Sequence, residues 1–468
     1  MVFSSTIFLF FFLPCVLLIY YIPMRNRAAR NLFLTVMSLL FYAWGEPWFV
    51  FVMLLSIACN WQAGILIDRH KADGHARGYL VGALVFNVGL LGAFKYLKFI
   101  LSNLNLGFGL NLPVPDIMLP IGISFFTFQA ISYVMDIYRG DGQAQKSFWD
   151  VCLYISFFPQ LIAGPIVRYQ TVADEIKGRV ENMDDFCSGA RRFMVGLSKK
   201  VILSNNLALL VEHAYSLGDG SLSVSAAWMA AIFYHVQVFF DFSGYSDMAI
   251  GLGRMFGFHF LENFDYPMLA KSITGFWRRW HISLGSWFRD YLFFPLGGSR
   301  VKSKWRLAFN MFVVWLLTGL WHGADWTFAV WGVSFFVLLL IEKLTGLGKW
   351  MEKHWLGYVY TNVAVVVFTV FMRAESLPSA LRRMGALFGI GANGLWDSVS
   401  AMYVREYGLF MAAAVLFSLP FGAFLEKRLH IPPAVSQIAR TVGLLAAFAV
   451  SITYVVMGSY NPFIYFNF

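Results

Sequence analysis

Apolar runs long enough to cross roughly 30 Å of hydrocarbon, as helices rising 1.5 Å per residue, recur from one end of this chain to the other. They lie near residues 3–22, 31–45, 47–67, 79–100, 117–136, 148–167, 200–216, 226–250, 307–323, 326–341, 355–372, 406–425 and 441–457. Lipid offers no hydrogen bonds to a peptide backbone, so a spanning chain must be helical or a closed barrel, and continuous apolar runs of this length read as helices. The expected fold class is an all-α polytopic membrane protein, with about eleven transmembrane helices plus re-entrant and interfacial helices. Only 13% of residues are charged and 59% are hydrophobic, against about 25% charged in a soluble domain. No polar block is large enough to fold separately, so residues 1–468 are expected to form a single integral membrane domain. The excess of 36 Lys plus Arg over 26 Asp plus Glu reports cytoplasmic loops, and nucleic-acid binding is not expected. Cys15, Cys59, Cys152 and Cys187 form no CxxC pair, which argues against a disulfide framework and a thiolate metal site alike.

Basic residues orient the spans. Arg25, Arg27 and Arg30 share the cytoplasm with Asp68 to Arg77 only if two crossings lie between them, turning at Gly45-Glu46-Pro47. That leaves the N-terminus outside, and Met1 to Ile22, lacking a basic leader and a small-residue cleavage site, reads as a retained span. Run 148–167 has basic residues on both sides, so it is expected to be a re-entrant hairpin broken at Pro159 and at Gly164-Pro165. Residues 271–306, with eight Lys and Arg against Asp290, are expected to face the cytoplasm and to be only partly embedded. The later spans place Glu342 to Lys353 and Glu426 to Arg440 inside, with 376–404 and the C-terminal Tyr460 to Phe468 outside, although Arg382 and Arg383 run against that placement.

Ionisable groups within apolar sequence are costly to bury, and each is a candidate for function. His322, in Thr318-Gly319-Leu320-Trp321-His322-Gly323-Ala324-Asp325, is flanked on both sides by hydrophobic sequence. A persisting helix would put Thr318, His322 and Asp325 on one face, where the carboxylate would orient the ring, unless Gly323 interrupts it first. Interhelical hydrogen bonding accounts for such a histidine equally well. His281 lies in Phe276-Trp277-Arg278-Arg279-Trp280-His281-Ile282-Ser283-Leu284, ahead of Arg289. Arginines interleaved with tryptophans suit either lipid headgroups at the interface or the phosphates of a nucleotide-bearing donor such as coenzyme A. Tyr234, Gln237, Asp241 and Tyr245 form a polar stripe on one helix face, expected to satisfy itself within the bundle, as are Asp136 and Tyr138 through cytoplasmic arginines. No HExxH, GxSxG, Walker loop or GxGxxG is present, so zinc protease, serine hydrolase and nucleotide-driven pump lack their machinery.

At these residues the chain resembles the membrane-bound O-acyltransferase family, in particular its bacterial subgroup concerned with O-acetylation of alginate and related polysaccharides. The resemblance is carried by Leu119-Pro120-Ile121-Gly122-Ile123-Ser124-Phe125-Phe126, Phe158-Pro159-Gln160-Leu161-Ile162-Ala163-Gly164-Pro165, Asp241-Phe242-Ser243-Gly244-Tyr245-Ser246-Asp247, Trp277-Arg278-Arg279-Trp280-His281 and Gly319-Leu320-Trp321-His322-Gly323, in that order. It implies tilted helices around a central funnel, with catalytic histidines at His322 and His281. It further implies acetyl-CoA as donor substrate, with no permanently bound cofactor and no metal, in the bacterial inner membrane. Both termini would be extracytoplasmic. The acceptor would be an exopolysaccharide such as alginate or cellulose, reached with a periplasmic SGNH-type acetyltransferase and a polysaccharide synthase complex as partners. His322 is then expected to act as general base, His281 to support donor binding or polarise the carbonyl, and Arg278, Arg279 and Arg289 to contact the donor's phosphates. The rival readings are a proton-coupled transporter, for which repeated halves are missing, and a non-catalytic platform of a polysaccharide synthase.

Overall fold

The computed structural model describes residues 1–22, 24 and 26–462. Among them there is no strand, and helices follow one another along the whole chain. Arg25 and residues 463–468, on which part of the topology reading rests, lie outside the described residues. Seven helices are long and apolar enough to cross a membrane: Phe49–Arg69, Ala76–Phe108, Met183–Ser216, Trp326–Thr345, Leu356–Arg373, Ser398–Phe417 and Pro433–Val456. The chain is thus an all-α, multi-pass membrane protein. Val224–Met255 is long as well, at 32 residues, but it carries the polar stripe.

Several boundaries differ from the apolar runs for local reasons. Phe8–Tyr21 is shorter than the expected first span. Run 406–425 divides into Ser398–Phe417 and Phe421–Leu429, because Pro420 lacks the N–H that would continue the helix. Helix Ala76–Phe108 extends the fourth run at both ends and contains one wider turn, Gly92–Tyr96.

The chain forms two compact units, one of Met1–Phe193 with Ser246–Leu261, the other of Met194–Tyr245 with Glu262–Phe468. In the first, Phe8, Phe41 and Phe158 lie within 6.3 Å of one another, centroid to centroid. Helix Phe148–Ser156, with nine residues, is about 14 Å long and too short to cross a bilayer. It breaks at Phe157 and is followed by the single turn Phe158–Leu161 and by irregular backbone to Arg168. Residues 151–167 are all buried, which is the condition under which non-helical backbone survives at membrane depth. Phe158 N–H donates to Ser38 Oγ (3.1 Å), anchoring the break to helix Arg27–Ala43.

Outside the spans of this unit, Glu181 gathers Arg27, Arg30 at 3.1 Å, Arg179 at 3.6 Å and the Tyr20 hydroxyl. Burial alone would raise its carboxyl, but the hydrogen bonds from Arg27 and Tyr20 prevail and hold it at about 2. In the second unit, Asp219 pairs with both Arg382 (2.8 Å) and Arg383 (3.0 Å), and Arg383 also donates to the carbonyls of Ala214, Tyr215 and Leu217. The two cations that ran against the expected orientation thus share one carboxylate, and Arg383 gives its remaining N–H groups to backbone carbonyls.

A carboxyl held below its ordinary value of 4.5 stabilises the fold above that pH, and the contribution is lost as pH falls toward about 2. Glu181→Gln is expected to lower the melting temperature in detergent at pH 7. The gap to wild type should close as the pH is brought from about 4.5 to about 2, which a melting series across that range will show.

Candidate functional site

His322 is the last residue of helix Lys304–His322 and is buried. Its position follows from a helical hairpin with Trp326–Thr345 that closes on glycines. A Cβ at Gly319 would stand 2.3 Å from the carbonyl oxygen of Phe328, one at Gly332 2.3 Å from that of Trp315, and one at Gly323 2.3 Å from the Phe328 ring. Any side chain there would push the helices apart. Gly323 does interrupt the helix, with extended backbone. Asp325 therefore does not share a face with His322; it caps the next helix, accepting from Thr327 N–H at 2.9 Å.

The group that orients His322 is instead the carbonyl of Thr318, 2.7 Å from Nδ1. A carbonyl only accepts, so Nδ1 carries the proton and Nε2 the lone pair. The ring meets the Trp331 and Trp321 rings at 4.9 and 5.0 Å. It also lines a cavity with about 30 Å³ of room for water-sized groups, walled by Trp277, Trp280, Trp331 and Phe335.

His281 is held by a different device. It precedes the short helix Ile282–Phe288 in left-handed backbone, φ +47°, a conformation costly for a residue with a Cβ. Asn263 locks it there. The Asn263 carbonyl accepts from Ile282 N–H (3.0 Å), and its Oδ1 accepts from Ser283 N–H (3.2 Å), Ser283 Oγ (2.8 Å) and His281 Nδ1 (3.3 Å). Because the Ser283 amide must donate, the acceptor atom of Asn263 is determined, and His281 is again protonated on Nδ1. Its Nε2 is buried with no hydrogen-bond partner. The two rings lie 6.4 Å apart, nearly perpendicular. Burial and the neighbouring His322 hold His281 well below its ordinary value, so it stays neutral.

The segment leading to His281 is clamped by Glu342, which sequence reading passed over as an ordinary cytoplasmic acid. Its carboxylate accepts from Ile273 N–H (2.6 Å), Thr274 N–H (2.9 Å) and the Thr274 hydroxyl (2.6 Å). The anion thus sits on the N–H groups that open helix Ile273–Trp277, where it is favoured. Arg278, Arg279 and Arg289 all follow on this segment with unequal freedom. Arg279 is paired with Asp265 (3.0 Å), Arg289 with its neighbour Asp290 (2.7 Å), while Arg278 is exposed and in no ion pair among the described residues.

Asp241 of the polar stripe forms an ion pair with Lys200 at 2.6 Å, both side chains only 2% exposed. Asp241 thus finds its partner within the unit, whereas Gln237 Oε1 on the same stripe is buried with no hydrogen-bond partner among the described residues. His235, which sequence reading did not single out, lines the same cavity as His322. The signal for it was present one position off the stripe, since His235, Val238 and Phe242 share a helix face, and Phe242 packs on His281 at 4.4 Å.

The sequence pattern of the membrane-bound O-acyltransferase family matches residues 146–376. The chain is 38% identical to a protein of Pseudomonas putida named "Probable alginate O-acetylase AlgI", over 100% of both chains. It is 40% identical to the protein of that name from Pseudomonas aeruginosa, covering 92% of this chain and 83% of the relative. A peptidoglycan O-acetyltransferase of Helicobacter pylori is 34% identical, over 84% of this chain and 81% of its own.

The glycine contact makes its own prediction. Gly332→Ala is expected to cost on the order of 1–3 kcal/mol by overpacking and to lower the melting temperature in detergent. Gly89→Ala, in helix Ala76–Leu91 with nothing within 4 Å, is expected to leave it unchanged or slightly raised.

Proposed function

Because the chain belongs to the membrane-bound O-acyltransferase family and is an O-acyltransferase of the membrane, we propose that it transfers acetyl groups from cytoplasmic acetyl-CoA for O-acetylation of an extracytoplasmic polysaccharide of the alginate type. The observation that carries the reading is the protonation of His322: with Nδ1–H bound to the Thr318 carbonyl, Nε2 is a base in a buried site. An acceptor hydroxyl gives its proton to Nε2 as its oxygen attacks the thioester carbonyl carbon. The new C–O bond forms, the C–S bond breaks, and the imidazolium returns the proton to the leaving thiolate. A neutral imidazole can take the first proton, and the imidazolium it becomes can return it.

In this reading His281 supports donor binding, its ring oriented by Asn263. Arg278, exposed and in no ion pair, offers a guanidinium fork to the donor's phosphates, and Arg279 and Arg289 contribute from beside their carboxylates. The protein would lie in the bacterial inner membrane with both termini outside. It would work with a periplasmic SGNH-type acetyltransferase and a polysaccharide synthase complex. Relatives named for alginate and peptidoglycan O-acetylation support a glycan as the final acceptor.

Purified protein in nanodiscs, given acetyl-CoA labelled on the acetyl group and an alginate oligosaccharide, with and without the periplasmic partner, is expected to release thiol and transfer label. His322→Ala should reduce the rate by about 10²–10⁴-fold at unchanged melting temperature; retained turnover would remove His322 from the mechanism. In the same assay Arg278→Ala is expected to raise KM for acetyl-CoA several-fold with kcat preserved. An unchanged KM assigns that arginine to lipid headgroups instead.

A further inference from the structure

His235 stands in helix Val224–Met255 and is buried. One of its nitrogens has a clear task. Nδ1 lies 3.3 Å from Thr369 Oγ1, and that hydroxyl spends its only proton on the Val365 carbonyl at 2.7 Å. Oγ1 must therefore accept, so His235 is protonated on Nδ1 and bears its lone pair on Nε2. The ring is further fixed by stacking on Trp280, centroids 5.1 Å apart and planes 21° from parallel.

Among the described residues Nε2 has no hydrogen-bond partner. His235 lines the cavity that His322 also lines, and the remaining walls are aromatic and aliphatic apart from Thr369. Interhelical adhesion explains the Thr369 bond and nothing else. A serine or asparagine would serve for that without placing a second imidazole nitrogen in the wall of a largely apolar cavity. An imidazole fixed at both its edge and its face, in the wall of the cavity that His322 also lines, is prepared for a donor that arrives with a ligand.

We propose that His235 is a second acceptor-binding residue, whose Nε2 receives a hydrogen bond from the donor adjacent to the reacting hydroxyl while His322 takes the proton of that hydroxyl itself. The inference rests on His322 as the base. The adjacent donor is the neighbouring ring hydroxyl if the immediate acceptor is a sugar, and the residue's own backbone N–H if it is a serine of a partner protein. Both are neutral donors of similar reach, and His235 serves either by the same bond.

Two substitutions separate this from adhesion. His235→Asn keeps a polar atom near the Nδ1 position, for Thr369, and removes the inward acceptor; His235→Gln keeps an amide oxygen near the Nε2 position. In the labelled acetyl-CoA assay, with an alginate oligosaccharide and with N-acetylserine amide as alternative acceptors, His235→Asn is expected to lower kcat/KM for the true acceptor class about tenfold. KM for acetyl-CoA should stay within about twofold of wild type, and His235→Gln should retain more activity than His235→Asn. The acceptor on which His235→Asn acts identifies the source of the donor. Wild-type kinetics from His235→Asn on both acceptors, or a loss that falls on KM for acetyl-CoA, would overturn the proposal while leaving His322 in place. Failure of the wild type to acetylate either acceptor would instead overturn the His322 reading, and this inference with it.

Discussion

The structure depends on the cost of an unmatched polar group where water is scarce. Several buried ionisable or imidazole side chains are matched by particular partners, and those partners dictate local backbone. Lys200 is brought to Asp241 on a widened helical turn, Lys199–Ser204. Glu342 is matched by the N–H groups of a short helix rather than by a cation. The three histidines near the cavity each give Nδ1–H to a defined oxygen, and for His281 and His235 no hydrogen-bond partner of Nε2 is found among the described residues. Chemistry becomes available where such matching is left half complete, since the atom without a partner is the one a substrate can complete.

The site is assembled from rigid and irregular backbone in complementary roles. His235 and His322 ride on long helices, and glycine contacts let the hairpin carrying His322 close without freedom to shift. The segment between Asn263 and Ser283 has only short helices, and it holds because Asn263 joins its two ends and Glu342 pins its middle. The cavity walls are largely aromatic, while the irregular segment presents Arg278 outward. Precision and access to a charged donor thus come from different stretches of chain.

Much of this was legible in the sequence, though unevenly. Hydrophobic run length identified the membrane class because backbone satisfaction in lipid admits few alternatives. A break in run 148–167 was readable from Pro159, although it falls at Phe157. Boundaries were less so: Pro420 divided a run, and the helix Met183–Ser216 began in sequence that looks like a basic loop. At the site, His322 and His281 stood out as ionisable groups in apolar or aromatic surroundings. His235 did not, although it lies in the apolar run 226–250, because it stands beside the polar stripe rather than on it and its cavity partners Thr369 and Trp280 are distant along the chain.

By itself the sequence determined the solvent this chain folds in, its all-helical class and the two motif histidines, all consequences of local composition and spacing. Tertiary structure alone decided which atom orients each ring. Asp325, the sequence neighbour positioned to orient His322, is diverted to a helix cap by the extended backbone at Gly323, and the Thr318 carbonyl takes its place. Asn263 and Thr369 are brought to His281 and His235 only by packing within the unit. Protonation state depends on hydrogen-bond partners in space, and for His281 and His235 periodicity along one helix does not encode what the neighbouring segment presents.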